Sequence, residues 1–438
     1  MNRNEEFAEF MRELDGNVPE LTESLQKGMQ RKVRKQFLYQ PLLCLAAVFV
    51  LFVLSVNLFA PVAYACSKVP VLKELAKAVT FSKSLSDAVE NEYVQEMNLK
   101  QTKGDITAEI AYLIVDQKQV NVFYRFESEK YEKLNAHCEA LHGNGEKMSG
   151  YSMVMGEYGV SNEEIRCASM DFHEENVPGE ICFRMDVFEH QDGERDDYLE
   201  QFDFLLQFDP TFTAEGKKYP VNQSFVIDGQ TLIVTGIEVY PTHMRVNVTD
   251  VPENSAWFKE LRFYVETESG ERFLASSNGV TAFGSSQNGD VVSYYAESPY
   301  FYEAEHFKMV VTGADWLEKG KEETRVNLVT GETGLLPEGT RLKDVQRESD
   351  GRVKLVFEQT HIGGNSYRSA FGHQGYDENG NRYDIMVMMD VDTHLGEGEE
   401  GIVTLGYVLE EFPYEEIRLE LQYSKRCRLE KEIIVKLK

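Results

Sequence analysis

The chain has 438 residues, 42% hydrophobic and 27% charged, which is enough for two or three domains with their own cores and far from a disordered composition. Its 45 Lys+Arg against 74 Asp+Glu give a formal charge of -29, a field that repels duplex DNA and RNA and excludes direct nucleic-acid binding over most of the surface. With 12 Pro, 32 Gly and 6 Cys, the chain is neither collagen-like, nor a linker protein, nor a disulfide scaffold.

Residues 1–40 carry seven bases and seven acids, so the net charge lies beyond them. Phe7, Phe10, Met11 and Leu14 recur at i, i+3, i+4 and i+7 before Gly16-Asn17 breaks the run. Pro19 opens a second expected helix, with Leu21, Leu25, Met29 and Val33 spaced by four and Glu20 and Glu23 in its first turn. Two short amphipathic helices cannot bury these faces alone. Phe7, Phe10, Met11, Leu14, Leu21 and Leu25 are therefore candidate partner-binding residues, with membrane lipid as the competing surface for the basic run Arg31 to Lys35.

Pro41 to Ala60, PLLCLAAVFVLFVLSVNLFA, holds no charge. At 1.5 Å per residue, about 20 residues reach about 30 Å, the thickness of a hydrocarbon core, so residues 41–60 are expected to form a transmembrane helix. Lys27, Arg31, Lys32, Arg34 and Lys35 precede it, and Lys68 is the one charge in the dozen residues after it. That asymmetry predicts a single-pass cell-membrane protein with a cytoplasmic N-terminus and a large extracellular C-terminal region. Ala63-Tyr64-Ala65 has the small-x-small form that signal peptidase accepts, which makes the anchor also cleavable.

Next come Ala63 to Leu72, AYACSKVPVL, then KELAKAVTF and YVQEMNLKQTKGDITAEIAYLIVDQKQVNVFYRFES. This stretch resembles the start of the family known as domain of unknown function 4179, found in single-pass membrane proteins of Gram-positive bacteria. The junction is also similar to that of lysozyme-sensing membrane anti-sigma factors. The resemblance implies that residues 5 to 36 bind a sigma factor of the extracytoplasmic-function class. It also implies that signal peptidase cuts after Ala65, the second small residue after Ala63, and that an intramembrane protease then frees the sigma factor.

Beyond the anchor, residues 61–98 are expected to be a juxtamembrane helical segment, with a helix over 70–97 carrying Leu72, Leu75, Ala76 and Val79 on one face. After Leu99 the period changes to two. Ile106 to Tyr112, a turn near Asp116-Gln117, and Val120, Val122, Tyr124 and Phe126 read as a hairpin. The plan returns at Leu232 to Val239, a turn near Pro241-Thr242, and Met244, Val246 and Val248; a third copy runs from Leu342 through Asp350-Gly351 to Phe357. The fold class expected is mainly β: tandem antiparallel β-sandwich modules of the Ig-like kind over 99–214, 215–335 and 336–438, after the N-terminal helices.

No catalytic, cofactor or metal constellation stands out, and the chain is not expected to be an enzyme. His173-Glu174-Glu175 lacks a second His at helical spacing, and Asp377-Glu378-Asn379-Gly380-Asn381 opens like a calcium loop but has Arg382 and Met388 where Gly and Glu belong, so it reads as a turn. Cys167 and Cys182 either pair or remain free core thiols. Tyr294, Tyr295, Tyr300, Phe301 and Tyr302 read first as core and second as a ligand-stacking platform. Two functions stay open: an anti-sigma-like regulator answering an unknown envelope ligand, or an envelope adhesion or scaffold protein.

Overall fold

The structure, a computed structural model, describes residues 8–12 and 74–438 apart from 157–159, 190–197, 276–281, 284–289, 350, 363–368 and 390–399. The chain divides into two compact units, Met1–Lys73 and Glu74–Lys438. In the first, residues 8–12 are helical, with Phe10 and Met11 exposed. Among the described residues no helix is long and apolar enough to cross a membrane; the expected span 41–60 lies outside them.

The second unit is mainly β, its described residues forming six antiparallel sheets around three cores. One five-stranded sheet runs in the spatial order Gln95–Lys103, Ile106–Val115, Gln119–Glu127, Arg166–Phe172, Tyr151–Met155. It shares a core with a three-stranded sheet of Leu134–Leu141, Glu180–Glu189 and Tyr198–Gln207. Period two explains the inward faces: on the last of these strands Phe202, Phe204 and Leu206 are buried while Gln201, Asp203 and Leu205 are exposed. The hairpin Ile106–Glu127 departs from simple alternation, because its outer face is covered too: Tyr112, Ile114, Asn121 and Phe123 are buried outside the core.

The second core lies between the sheet Ala282–Phe283, Val292–Ala296, Met244–Asp250, Gln230–Val239, Lys217–Ile227 and the sheet Arg272–Phe273, Ala256–Thr267, Phe307–Glu318, Lys425–Lys436. The third lies between the sheet Glu323–Asn327, Glu416–Leu421, Phe371–Tyr376, Arg382–Asp384 and the sheet Thr340–Arg347, Val353–Ile362, Glu400–Leu409, Met386–Met389. Strand allocation here does not follow chain order. Glu323–Asn327 precedes residue 336 yet joins the third pair of sheets, and Lys425–Lys436 returns to the second, where its Val435 and, just past its end, Leu437 enter the core.

The helix expected over 70–97 is broken and shorter. Residues 74–78 are helical, Ser82 caps a new helix Lys83–Glu90 by accepting from the Leu85 N–H at 3.3 Å, and Asn91 and Glu92, the latter at φ 56°, end it. From Gln95 the chain is strand, its Met97 and Leu99 packed on the first core. Asp377 anchors its turn as read, its Oδ1 accepting from the Asn379 and Asn381 N–H groups at 2.8 and 2.9 Å. Cys138, Cys167, Cys182 and Cys427 are all free thiols, and Cys167 and Cys182 sit on strands of different sheets.

Candidate functional site

The repeat brings equivalent hairpin tips into contact. Asp116, at the tip of the first hairpin, is fully buried, and its Oδ1 accepts from the Lys118 and Gln119 N–H groups at 2.8 and 2.9 Å, which shapes its own turn. Its Oδ2 reaches the tip of the second hairpin, accepting from Thr242 N–H at 3.0 Å and Thr242 Oγ1 at 2.6 Å, across 126 residues of sequence.

A second buried carboxylate completes the joint. Asp171, on Arg166–Phe172, accepts at Oδ1 from Arg245 Nη2 and Tyr295 Oη, both at 2.8 Å, and at Oδ2 from Gln119 Nε2 at 3.2 Å. Arg245 spends its other donors on the carbonyls of Phe172 and His173, at 2.7 and 2.9 Å, and on His243 Nε2 at 3.1 Å. Lys118 Nζ donates to the carbonyls of Glu174 and Glu175. The His173-Glu174-Glu175 segment thus serves the joint through its backbone.

His243 is the central ring, fully buried and stacked on Tyr240 at 5.1 Å, with Tyr295 edge-on at 5.4 Å. Because Arg245 donates to Nε2, that nitrogen is the acceptor and Nδ1 carries the proton, which it gives to Thr242 Oγ1 at 2.9 Å, as Thr242 gives its own to Asp116. Protonating His243 would break the bond from Arg245. Burial, with Arg245 and Lys118 nearby, holds the imidazole well below its usual pKa. Burial pushes the Asp116 and Asp171 carboxyls up, against the donors that surround them.

A pH dependence follows. Below 6.5 the unfolded chain binds a proton that buried His243 refuses, so stability should fall with pH by about 1.4 kcal/mol per unit. His173 and His361, also held below their usual values by burial and a neighbouring arginine, act in the same direction. Asp116 and Asp171 act oppositely: with raised native pKa values they add stability below 3.8 and lose it as pH rises through those values. Denaturant midpoints between pH 7.5 and 5.5 should therefore decline less steeply in His243→Gln, whose amide keeps one acceptor and one donor. Equal slopes in the two proteins would remove His243 from this role.

The helix Lys83–Glu90 is fastened to the same joint. Glu297, buried just beyond Val292–Ala296, accepts from Ser84 N–H at 2.6 Å, from Ser82 Oγ at 3.1 Å and from the Ser84 hydroxyl, at the positive end of the helix dipole. The Ser298 N–H returns a bond to Ser84 Oγ at 2.7 Å. Lys83 pairs with Glu271 and lies over the Phe273 ring at 4.6 Å. Tyr93 Oη donates to the Val115 carbonyl at 2.7 Å and accepts from Ala214 N–H at 2.8 Å, tying the helix end to the first hairpin and to the connector between cores. On the separate helical stretch 74–78, Glu74 meets Arg125 at 3.5 Å and Lys77 meets Glu164 at 3.6 Å. Segment 74–93 is therefore bonded to elements of both the first and the second core.

Of the residues predicted to bind a partner, Phe10 and Met11 are helical and exposed, whereas Phe7, Leu14, Leu21 and Leu25, like the predicted cleavage residues Ala63 and Ala65, lie outside the described residues. Tyr294 is core, Tyr295 belongs to the joint, and Tyr300, Phe301 and Tyr302 are half-buried. Sequence reasoning missed Asp171, His243, Arg245, Ser84 and Glu297, and took Asp116 for a turn residue alone. Among the described residues no group of three or more His, Cys, Asp or Glu side chains is arranged to hold a metal.

Residues 34–128 match the family model described as Domain of unknown function (DUF4179), and residues 216–337 match the Family of unknown function (DUF5643). Among solved structures, the chain is similar to the conserved domain protein from Bacillus anthracis, at 14% identity and a TM-score of 0.40 over 55% of this chain and 84% of that one. No curated protein matches.

Proposed function

With residues 34–128 in the DUF4179 family as premise, we propose that the chain is a single-pass, anti-sigma-like membrane regulator. Residues 1–40 hold an extracytoplasmic-function sigma factor in the cytoplasm through Phe7, Phe10, Met11, Leu14, Leu21 and Leu25. Residues 41–60 cross the membrane, and the tandem Ig-like β-sandwich modules stand outside. Cutting at Ala65 by signal peptidase, then within the membrane, releases the sigma factor when an envelope signal arrives.

The observation that carries this reading is the fastening of Ser82 and Ser84 to Glu297, which stands more than two hundred residues later in the chain. Glu74, the first residue of the β-rich unit, follows Ala65 by nine positions, a length of chain that can span at most about 30 Å. While the segment is docked, that short tether limits how the Ala63–Ala65 peptide can enter a protease. Once it undocks, the tether lengthens by some twenty residues and the peptide becomes a substrate.

Three measurements test the reading. A peptide of residues 1–40 should capture an extracytoplasmic-function sigma factor, and deleting residues 1–26 of the full chain should raise transcription from that factor's promoters. Glu297→Ala, which strips three donors of their acceptor, should raise cleavage after Ala65 without any signal. Failure of the peptide to capture a sigma factor, with transcription unchanged on deletion, would end the proposal and leave the envelope scaffold in its place.

A further inference from the structure

We propose that a cleft on the second pair of sheets is a binding site for an acidic saccharide, a pyranose chain bearing carboxylate or phosphate. The cleft has a volume of about 580 Å³, within the range of small-ligand sites, roughly 300–1,000 Å³. Its wall is aromatic: Tyr219 from Lys217–Ile227, Phe307 from Phe307–Glu318, and Tyr300, Phe301 and Tyr302 from the strap 299–305 between Val292–Ala296 and Phe307–Glu318. The half-buried rings of Tyr219, Tyr300, Phe301 and Tyr302 offer flat apolar faces to the C–H faces of a sugar, and the tyrosine hydroxyls keep a polar edge.

Two cations converge on those rings. Lys217 Nζ lies 4.6 Å from the centre of Tyr300, and Lys438 Nζ lies 4.7 Å from Tyr219 and 5.7 Å from Phe307. Neither ammonium is paired with a carboxylate among the described residues, in a chain with 74 acids to 45 bases. Two ammonium groups without an ion-pair partner beside stacking rings favour an anionic group on a ligand with apolar faces. Glu303 and Glu305, exposed on the strap and also lining the cleft, are acceptors for hydroxyl groups, which an acidic sugar carries and inorganic phosphate does not.

The strap also touches the docked helix. Tyr302 Oη donates to Asp87 Oδ1 at 3.4 Å, Lys83 Nζ lies 5.0 Å from the Tyr302 ring centre, and Phe301 meets Tyr93 at 5.9 Å. A sugar stacked on Phe301 and Tyr302 therefore acts on the residues that hold segment 83–93. This coupling, unlike the binding itself, rests on the regulated-release reading above.

Calorimetry on the full chain in detergent micelles tests the site, with hyaluronan hexasaccharide as probe, chitohexaose as the neutral control and inorganic phosphate as the charge-only control. The expected result is saturable binding of the acidic hexasaccharide, about tenfold or more tighter than chitohexaose, and loss of that preference in the double variant Lys217→Gln, Lys438→Gln. Tyr300→Ala should weaken both sugars, while Tyr300→Phe, which keeps the ring packed on the second core, should retain both. No saturable heat with the acidic sugar, or competition by inorganic phosphate at equal concentration, overturns the proposal. Hydrogen exchange of residues 83–93 should change when the hexasaccharide binds. Unchanged exchange with intact binding removes the coupling and leaves the site, and failure of residues 1–40 to capture a sigma factor would leave the calorimetry untouched.

Discussion

Asp171→Ala should lower the free energy of unfolding by about 3–5 kcal/mol, because it strands a buried guanidinium without its carboxylate. Asp171 is fully buried and Arg245 is 3% exposed, and the lost oxygens also served Tyr295 and Gln119. The loss is mainly the cost of an unpaired charge, not the net worth of the pair. Asp171→Leu combined with Arg245→Met, which removes both charges and keeps most of the volume, should recover much of it. Denaturation of the full chain, followed by the fluorescence of Trp316, buried in the second core, and of Trp257, packed against the third, reads those two cores, while hydrogen exchange along Arg166–Phe172 reads the first pair of sheets. A single variant within about 0.5 kcal/mol of wild type, the range of a surface substitution, would mean that the joint is not an element of stability.

How much of this was legible depends on whether the signal is local. The hairpins at Ile106, Leu232 and Leu342 were legible because each inward face follows from alternation within a dozen residues. The return of Lys425–Lys436 to the second pair of sheets was not, since alternation says that a strand exists and nothing about which edge it joins. The helix over 70–97 was overextended because Leu75 and Val79 carry a helical spacing that continues in form past Ser82, where a cap restarts the chain.

The joint was hidden for a related reason. Asp116 beside Gln117 has the chemistry of a turn, and it does make that turn with one oxygen; the other oxygen is satisfied 126 residues away. That distance equals the spacing from Ile106 to Leu232, so the repeat already aligned Asp116 with Thr242. Asking which polar residues coincide in the repeat frame at hairpin tips would have placed the pair together. Glu297 and Ser84 had no such signal, because each looks like a solvated polar residue until the fold closes around both.

Gly216 gives the joint its sharpest steric test. A Cβ there would lie 2.8 Å from Cζ of Tyr240 and closer still to two other carbons of that ring. The ring cannot yield cheaply: it is fully buried, stacked on His243, bonded to Glu238 through its hydroxyl, and its own carbonyl accepts from Ser298. Gly216→Val should therefore displace Tyr240 from His243 and cost about 1–3 kcal/mol, as overpacking of a filled core does. Because Asp171→Ala disturbs the same contacts through Arg245, the two substitutions should not add; a coupling energy of about 0.5–3 kcal/mol is expected from the double variant. Strict additivity would show that Gly216 acts on the second core alone. Under the proposed regulation the variant has a second effect. Ser298, bonded both to the Tyr240 carbonyl and to Ser84, links the displaced ring to the docked helix, so Gly216→Val should raise cleavage after Ala65 much as Glu297→Ala does. Destabilisation with unchanged cleavage would separate the joint from the release it is proposed to govern.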